Sequence, residues 1–143
     1  MGRIMAIDYG QKRAGLAVTD ERQVIASGLA TVHVGKLMDY LRDYFSREPV
    51  ERLVIGEPFD MQYRPSDASR YIDPFIRQVR KQFPDIPVER MDERFTSKMA
   101  MQAMLDAGVK RKDRQRKELV DTISATILLQ SFLESRQFKN QRL

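Results

Sequence analysis

The chain has 143 residues, with 25 Lys or Arg against 20 Asp or Glu, and a formal net charge of +5 at pH 7. This length suits one domain with its own hydrophobic core. The sequence has no Cys and a single His, which excludes a disulfide framework, a thiolate zinc site, a cysteine nucleophile and a multi-histidine metal site. No apolar run approaches the roughly 18 residues of a membrane span, and no apolar leader precedes the first predicted strand. We therefore expect a cytoplasmic protein that does not contact the membrane.

The first quarter of the chain predicts three short strands. Residues 3–8 are an apolar run that ends at an Asp, and residues 13–19 alternate small and apolar side chains. Residues 24–32 form a third extended stretch. The connections are short and contain turn-forming residues, which favours an antiparallel meander.

The remaining sequence alternates between helical and extended patterns. Apolar side chains at three- and four-residue spacing predict amphipathic helices, and short apolar runs near Pro predict buried strands. The predicted order is a helix over 36–47, a strand over 52–56, a helix over 71–83, a strand over 88–91, a helix over 96–107 that stops at Gly108, and a helix over 118–136.

This order predicts an α/β fold. A three-strand antiparallel meander followed by two parallel strands gives a mixed five-stranded sheet that is flanked by helices. No internal repeat and no linker divides the sequence, so we assign one domain to residues 1–136. Residues 137–143 are expected to be a polar, disordered tail.

Acidic residues lie at the ends of three predicted strands. Asp8 ends the first strand, Glu57 ends the fourth, and Asp92 and Glu93 end the fifth. These strands are expected to be neighbours, so their carboxyl ends meet at one rim of the sheet. Oxygen ligands without His or Cys select Mg²⁺ or Mn²⁺, and a pair of such ions supports phosphoryl transfer. The alternative for Asp8 is a turn residue that bonds its own backbone.

Asp121 is the second unusual acidic residue, because it lies in an apolar segment of the last predicted helix. Ser124 and Ala125, one turn later, are small and permit close approach to another element. A carboxylate on such a face needs a cation, a metal ion or hydrogen bonds. An ion pair with Lys117 or Arg116 is the alternative to a role in a metal site.

Basic residues are concentrated in one segment. Residues 110–117 contain six cations and one anion. We interpret Lys110, Arg111 and Lys112 as contacts to a phosphate backbone. A solvated loop is the alternative.

Four segments resemble, in order, the motifs of the YqgF/RuvX family. They are IDYGQKRAGLA at residues 7–17, VIGEP at 54–58, MDERFTS at 91–97 and DTISATILLQ at 121–130. The resemblance implies a ribonuclease H-like fold and a relation to Holliday-junction resolvases. It also implies a metal-dependent nuclease that matures the 5′ end of the pre-16S ribosomal RNA, with a Holliday-junction resolvase acting on branched DNA as the alternative.

The family's acidic positions fall on Asp8, Glu93 and Asp121, which we take as catalytic and metal-binding residues for two Mg²⁺ or Mn²⁺ ions. Glu57 replaces the usual Leu of its motif and is either an additional ligand or an exposed side chain. Asp92 is a candidate for a supporting role beside the metal ligands.

Basic positions of the motifs fall on Lys12, Arg13 and Arg94, which we expect to contact nucleic acid. Tyr9 and Tyr63 are candidates for stacking on an unpaired base, against the simpler interpretation that they fill the core or its rim.

Two further alternatives stay open from the sequence. A non-catalytic assembly factor would keep the fold and bind nucleic acid without cutting it. A small-molecule phosphotransferase shares an opening Asp-x-Gly strand, but such enzymes have a second lobe that this chain lacks. An RNA precursor is the favoured partner, and the chain is expected to be a monomer or a homodimer.

Overall fold

The computed structural model describes residues 2–57, 69–92, 102–103, 105–108 and 117–141, with the backbone alone for residues 57, 69–71, 92, 117–118 and 137–141. In chain order the elements are β1 (Arg3–Tyr9), β2 (Arg13–Thr19), β3 (Ala26–His33), α1 (Val34–Arg47), β4 (Val50–Glu57), α2 (Ser69–Gln82), β5 (Val88–Asp92) and α3 (Lys117–Gln141).

The five strands form one mixed sheet in the order β3-β2-β1-β4-β5. The β1–β2 and β2–β3 pairs are antiparallel, whereas β1–β4 and β4–β5 are parallel. The predicted meander with two added parallel strands is therefore confirmed. Strands β1, β4 and β5 are neighbours, as expected, and their carboxyl ends lie along one edge of the sheet.

Side chains alternate between two cores on the two faces of the sheet. On β1, Met5 and Ile7 pack with α1 and α2, whereas Ile4 and Ala6 pack with α3. The sheet is thus a central layer between helices α1 and α2 on one face and α3 on the other. A residue's parity along β1 decides which of these helices it meets.

The helices follow the predicted apolar spacing. On α2, Ile72, Phe75, Ile76 and Val79 are buried. α1 begins directly after β3, where His33 is the N-cap and its Nδ1 accepts a hydrogen bond from the backbone N–H of Gly35 at 3.0 Å. The single histidine therefore has a local structural role.

Several boundaries differ from the predicted ones. Strand β4 starts two residues earlier than expected, and α3 continues to Gln141, into the segment expected as a tail. The disorder of residues 137–143 stays a prediction. The described residues 102–103 and 105–106 are helical, and Gly108 has φ 75°, which agrees with the predicted C-terminal stop. The predicted start of that helix at residue 96 lies outside the described residues. None of the described helices combines the length and apolar character that a membrane crossing requires.

Candidate acidic site at the rim of the sheet

One row of residues runs across the neighbouring strands β1, β2 and β3 and consists of Asp8, Gly15 and Thr31. Asp8 is the register partner of Gly15, and Gly15 is the partner of Thr31. Directly opposed residues of an antiparallel pair project to the same face. Alternation with Ile4 and Ala6 places Asp8 on the α3 face. Asp8 lies inside β1 and is half-buried, so its backbone is that of a strand residue.

Helix α3 lies directly on Gly15. A Cβ atom added to this glycine would be 2.0 Å from the backbone oxygen of Asp121 and 3.1 Å from the backbone nitrogen of Thr122. The missing side chain is therefore what allows the helix backbone to reach the strand. Because Gly15 is the partner of Asp8, this contact brings the backbone of Asp121 next to the Asp8 position.

Two side-chain contacts hold this part of α3 against the meander. The Nε of Arg13 lies 3.1 Å from the Oδ2 of Asp121. The Oγ1 atoms of Thr31 and Thr122 are 2.7 Å apart. One contact is ionic and the other is a hydroxyl hydrogen bond, and they involve consecutive helix residues, so together they restrict the rotation of α3 at the site.

The ion pair of Asp121 with Arg13 was not predicted. The sequence suggested a cation of the same region, Arg116 or Lys117, whereas the structure pairs Asp121 with Arg13, 108 residues away. Arg116 and the side chain of Lys117 lie outside the described part of the chain. The predicted close approach of the helix is confirmed, since Ser124 is 1% exposed and Ala125 is fully buried.

Ser124 carries an unusual hydroxyl on the same face of α3. Its Oγ is buried and has no hydrogen-bond partner among the described residues. A buried hydroxyl without a partner is unfavourable by about 1–3 kcal/mol. This serine therefore does not owe its place to a stabilising hydrogen bond within the described residues.

The other predicted acidic residues are described only in part. Glu57 and Asp92 end the parallel strands β4 and β5 and are register partners, so their backbones lie side by side at the rim; their side chains lie outside the description. Glu93 and Arg94 lie outside the described residues, as do the predicted phosphate contacts Lys110, Arg111 and Lys112.

The basic and aromatic candidates have different surroundings in the structure. Lys12 is exposed in the β1–β2 connection, whereas Arg13 is engaged with Asp121. Tyr9 projects to the α2 face, where its ring stacks on Phe75 with the centroids 4.5 Å apart. Burial raises the pKa of the Tyr9 hydroxyl. Tyr9 therefore belongs to the core, and Tyr63 lies outside the described residues.

The chemical type of the described carboxylates is the one that a divalent ion prefers. Asp8 and Asp121 supply hard oxygen atoms of the kind that Mg²⁺ and Mn²⁺ prefer. No group of three or more potential ligands gathers among the residues that the structure describes. The third predicted ligand, Glu93, lies outside that set.

Sequence reasoning assigned no role to Gly15, Thr31 or Thr122. A glycine in the middle of a strand pattern often marks the close approach of another backbone, and this signal was available at Gly15. Nothing in the local pattern around Thr31 or Thr122 indicated that their hydroxyls would meet.

Comparison with known proteins identifies the family. A family model described as RuvX, Holliday junction resolvase, matches residues 2–135. The chain belongs to this family. A relative from Phocaeicola vulgatus is 58% identical over 138 residues, which are 96% of this chain and 99% of the relative. A relative from Flavobacterium johnsoniae is 55% identical, with 96% of this chain and all of the relative covered. Both carry the name "Putative pre-16S rRNA nuclease".

Solved structures with the same fold have much lower sequence identity to this RuvX-family chain. Thermus thermophilus RuvC in complex with a Holliday junction substrate gives a TM-score of 0.59 at 15% identity, with 96% of each chain covered. A second T. thermophilus RuvC structure gives 0.53 at 14% identity, with 94% of this chain and 96% of that one covered. The expected ribonuclease H-like fold is thereby confirmed.

Proposed function

We propose that this protein is a metal-dependent nuclease that hydrolyses phosphodiester bonds during maturation of the 5′ end of the pre-16S ribosomal RNA in the cytoplasm. Membership of the RuvX family and the names of relatives that match almost the whole chain support this proposal. The single observation that supports it is the contact of the Asp121 backbone with Gly15, which is the register partner of Asp8.

In this proposal Asp8, Asp121 and Glu93 would hold two Mg²⁺ or Mn²⁺ ions, with Asp8 as their common anchor. Such ions lower the pKa of a bound water and stabilise charge on the leaving oxygen. Glu57 and Asp92 stay candidates for additional or supporting groups, since their strands end at the same rim.

The basic residues bind the substrate in this proposal. Lys12 is exposed in the connection that follows Asp8, where it can hold a phosphate group of the cleaved strand. We expect further contacts along the phosphate backbone from Arg94, Lys110, Arg111 and Lys112. These contacts do not depend on base identity, so they position the strand without selecting its sequence.

A second candidate function is resolution of a four-way DNA junction, because the family description itself names a Holliday junction resolvase. Two symmetric cuts are needed to resolve a junction, so this activity calls for a homodimer. Processing of an RNA end needs one cut and is compatible with a monomer.

The test is a cleavage assay with Mg²⁺ or Mn²⁺ on a 5′-extended pre-16S RNA fragment and on a four-way DNA junction. Loss of a metal anchor removes several kcal/mol of transition-state stabilisation, so D8N and D121N should lower the rate by about a hundredfold or more. D39N is the matched control, because Asp39 is 84% exposed on α1, on the opposite face, and it should retain the wild-type rate.

Three results would contradict the proposal. Cleavage by D8N at the wild-type rate would exclude Asp8 as the metal anchor. Exclusive cleavage of the junction would favour the resolvase. Tight RNA binding by the wild type with no cleavage of either substrate would favour a non-catalytic assembly factor.

A further inference from the structure

The ion pair between Arg13 and Asp121 joins the first residue of β2 to α3. The side chains are 28% and 26% exposed, and among the ion pairs of the described residues this carboxylate is the least exposed. It links two residues that we expected to have different partners, a phosphate group for Arg13 and a metal ion for Asp121.

A carboxylate that is partly withdrawn from water is unfavourable unless a positive charge is close. The guanidinium group keeps its charge at every physiological pH. Arg13 therefore supplies a compensating charge for Asp121 in the chain without a metal ion. A divalent ion on the same carboxylate would supply that charge itself, and it would repel a guanidinium group at this distance.

We propose that Arg13 is the counter-ion of Asp121 in the metal-free protein and that a divalent cation displaces it. Arg13 thus stabilises the empty site and opposes metal binding. Once displaced, its guanidinium group becomes available to a substrate phosphate, which reconciles the observed ion pair with the predicted phosphate contact. This inference rests on the proposed function, because it takes Asp121 as a metal ligand.

A second ion pair supplies a matched control. The Nε of Arg3 lies 3.3 Å from Glu48, with side-chain exposures of 25% and 37%, which are close to those of the Arg13 pair. Arg3 begins β1, whereas Asp8 lies near its other end. R3Q therefore removes a comparable ion pair far from the acidic site.

The experiment is a titration of the full chain with Mn²⁺. Binding is measured by calorimetry and, independently, by the electron paramagnetic resonance signal of free Mn²⁺. R13Q should melt at a lower temperature than the wild type without metal, and it should bind Mn²⁺ more tightly, on the order of tenfold. Mn²⁺ should then raise its melting temperature more than it raises that of the wild type. R3Q should also melt earlier, but its affinity for Mn²⁺ should equal that of the wild type.

The outcomes separate this inference from the proposed function. Wild-type binding of Mn²⁺ with equal or weaker binding by R13Q would overturn the counter-ion role alone. No binding of Mn²⁺ by the wild type would overturn the metal site and, with it, the inference.

A measurement on the wild type covers the case in which R13Q does not fold. Saturating Mg²⁺ should shift the Arg13 Nε–H resonance and speed up its exchange with water, because the bond to Asp121 is lost. An Arg13 resonance that Mg²⁺ leaves unchanged would contradict displacement.

Discussion

Replacing Gly15 with alanine adds one methyl group at the point where α3 lies on the sheet. The new Cβ would be 2.0 Å from the backbone oxygen of Asp121, and real Cβ contacts essentially never fall below 3.0 Å. The helix backbone must therefore retreat by at least 1.0 Å at this point. No side-chain rotation can relieve the contact, because the opposing atom belongs to the main chain.

The expected loss of stability lies at the upper end of the range for overpacked cores, at about 3 kcal/mol. The lower entropy of the unfolded alanine chain offsets at most about 1 kcal/mol of it. The functional effect should be larger than the loss of stability suggests, since a displacement of about 1 Å at a reacting group reduces the rate about a hundredfold.

Urea unfolding, Mn²⁺ binding and the RNA cleavage assay measure the two effects of G15A separately. G28A is the comparison variant, because its Cβ would meet the methyl carbon of Thr122 at 2.6 Å and no backbone atom within 4 Å. We expect G28A to cost less than G15A, because the opposing atom is a side-chain methyl group and not the helix backbone. Part of its cost should come from weakening the hydrogen bond between Thr31 and Thr122 when the Thr122 side chain moves. A free energy of unfolding for G15A within about 0.5 kcal/mol of the wild type would refute the argument.

Three other predictions concern groups around the site and at the far end of the meander. S124A removes a buried hydroxyl without a described partner, so the free energy of unfolding should stay equal or rise by about 1 kcal/mol; a clear decrease in a urea titration would indicate an unseen partner. T31V removes the 2.7 Å hydrogen bond to Thr122 and should lower the free energy of unfolding by about 1 kcal/mol, with a T31S variant retaining the wild-type value more closely. Backbone hydrogen bonds from Ile25 and the residue before it lower the pKa of Asp20, so its contribution to stability is present at neutral pH and is lost as the pH falls below about 4 through the lowered value. Melting curves from pH 7 to pH 2 should therefore show a shallower acid decline for D20N than for the wild type, and parallel curves would contradict this assignment.

Local patterns in the sequence were sufficient to predict most of the fold. Alternation and helical spacing depend on residues a few positions apart, and they predicted the strands and helices to within a few residues at most ends. Short connections predicted the antiparallel meander, and the β-α order predicted the parallel strands. Boundaries were less accurate, as at α3, because polar residues such as Gln137 and Lys139 are compatible with both a helix and a tail.

Composition and the order of residues along the chain were sufficient to show which side chains are available for the chemistry. The absence of Cys and the single His leave oxygen ligands and at most one histidine for a metal site built by this chain, and the resemblance of the motifs to the RuvX family predicts Asp8, Glu93 and Asp121 as those ligands. These conclusions depend on composition and on order along the chain, which do not require knowledge of how the elements pack.

The contact of Asp121 with the sheet depends on how α3 packs, which local sequence patterns do not specify. The partnership with Arg13 spans 108 residues, and it depends on where α3 crosses the sheet and on its rotation about its own axis. Gly15 sets the depth of that crossing, and the contact between Thr31 and Thr122 restricts its rotation. Periodicity identifies which face of a helix is buried, but it does not specify which strand residue lies opposite. The small residues of α3 allow this helix to approach the sheet closely. The register of β1, β2 and β3 determines which strand residue the helix contacts.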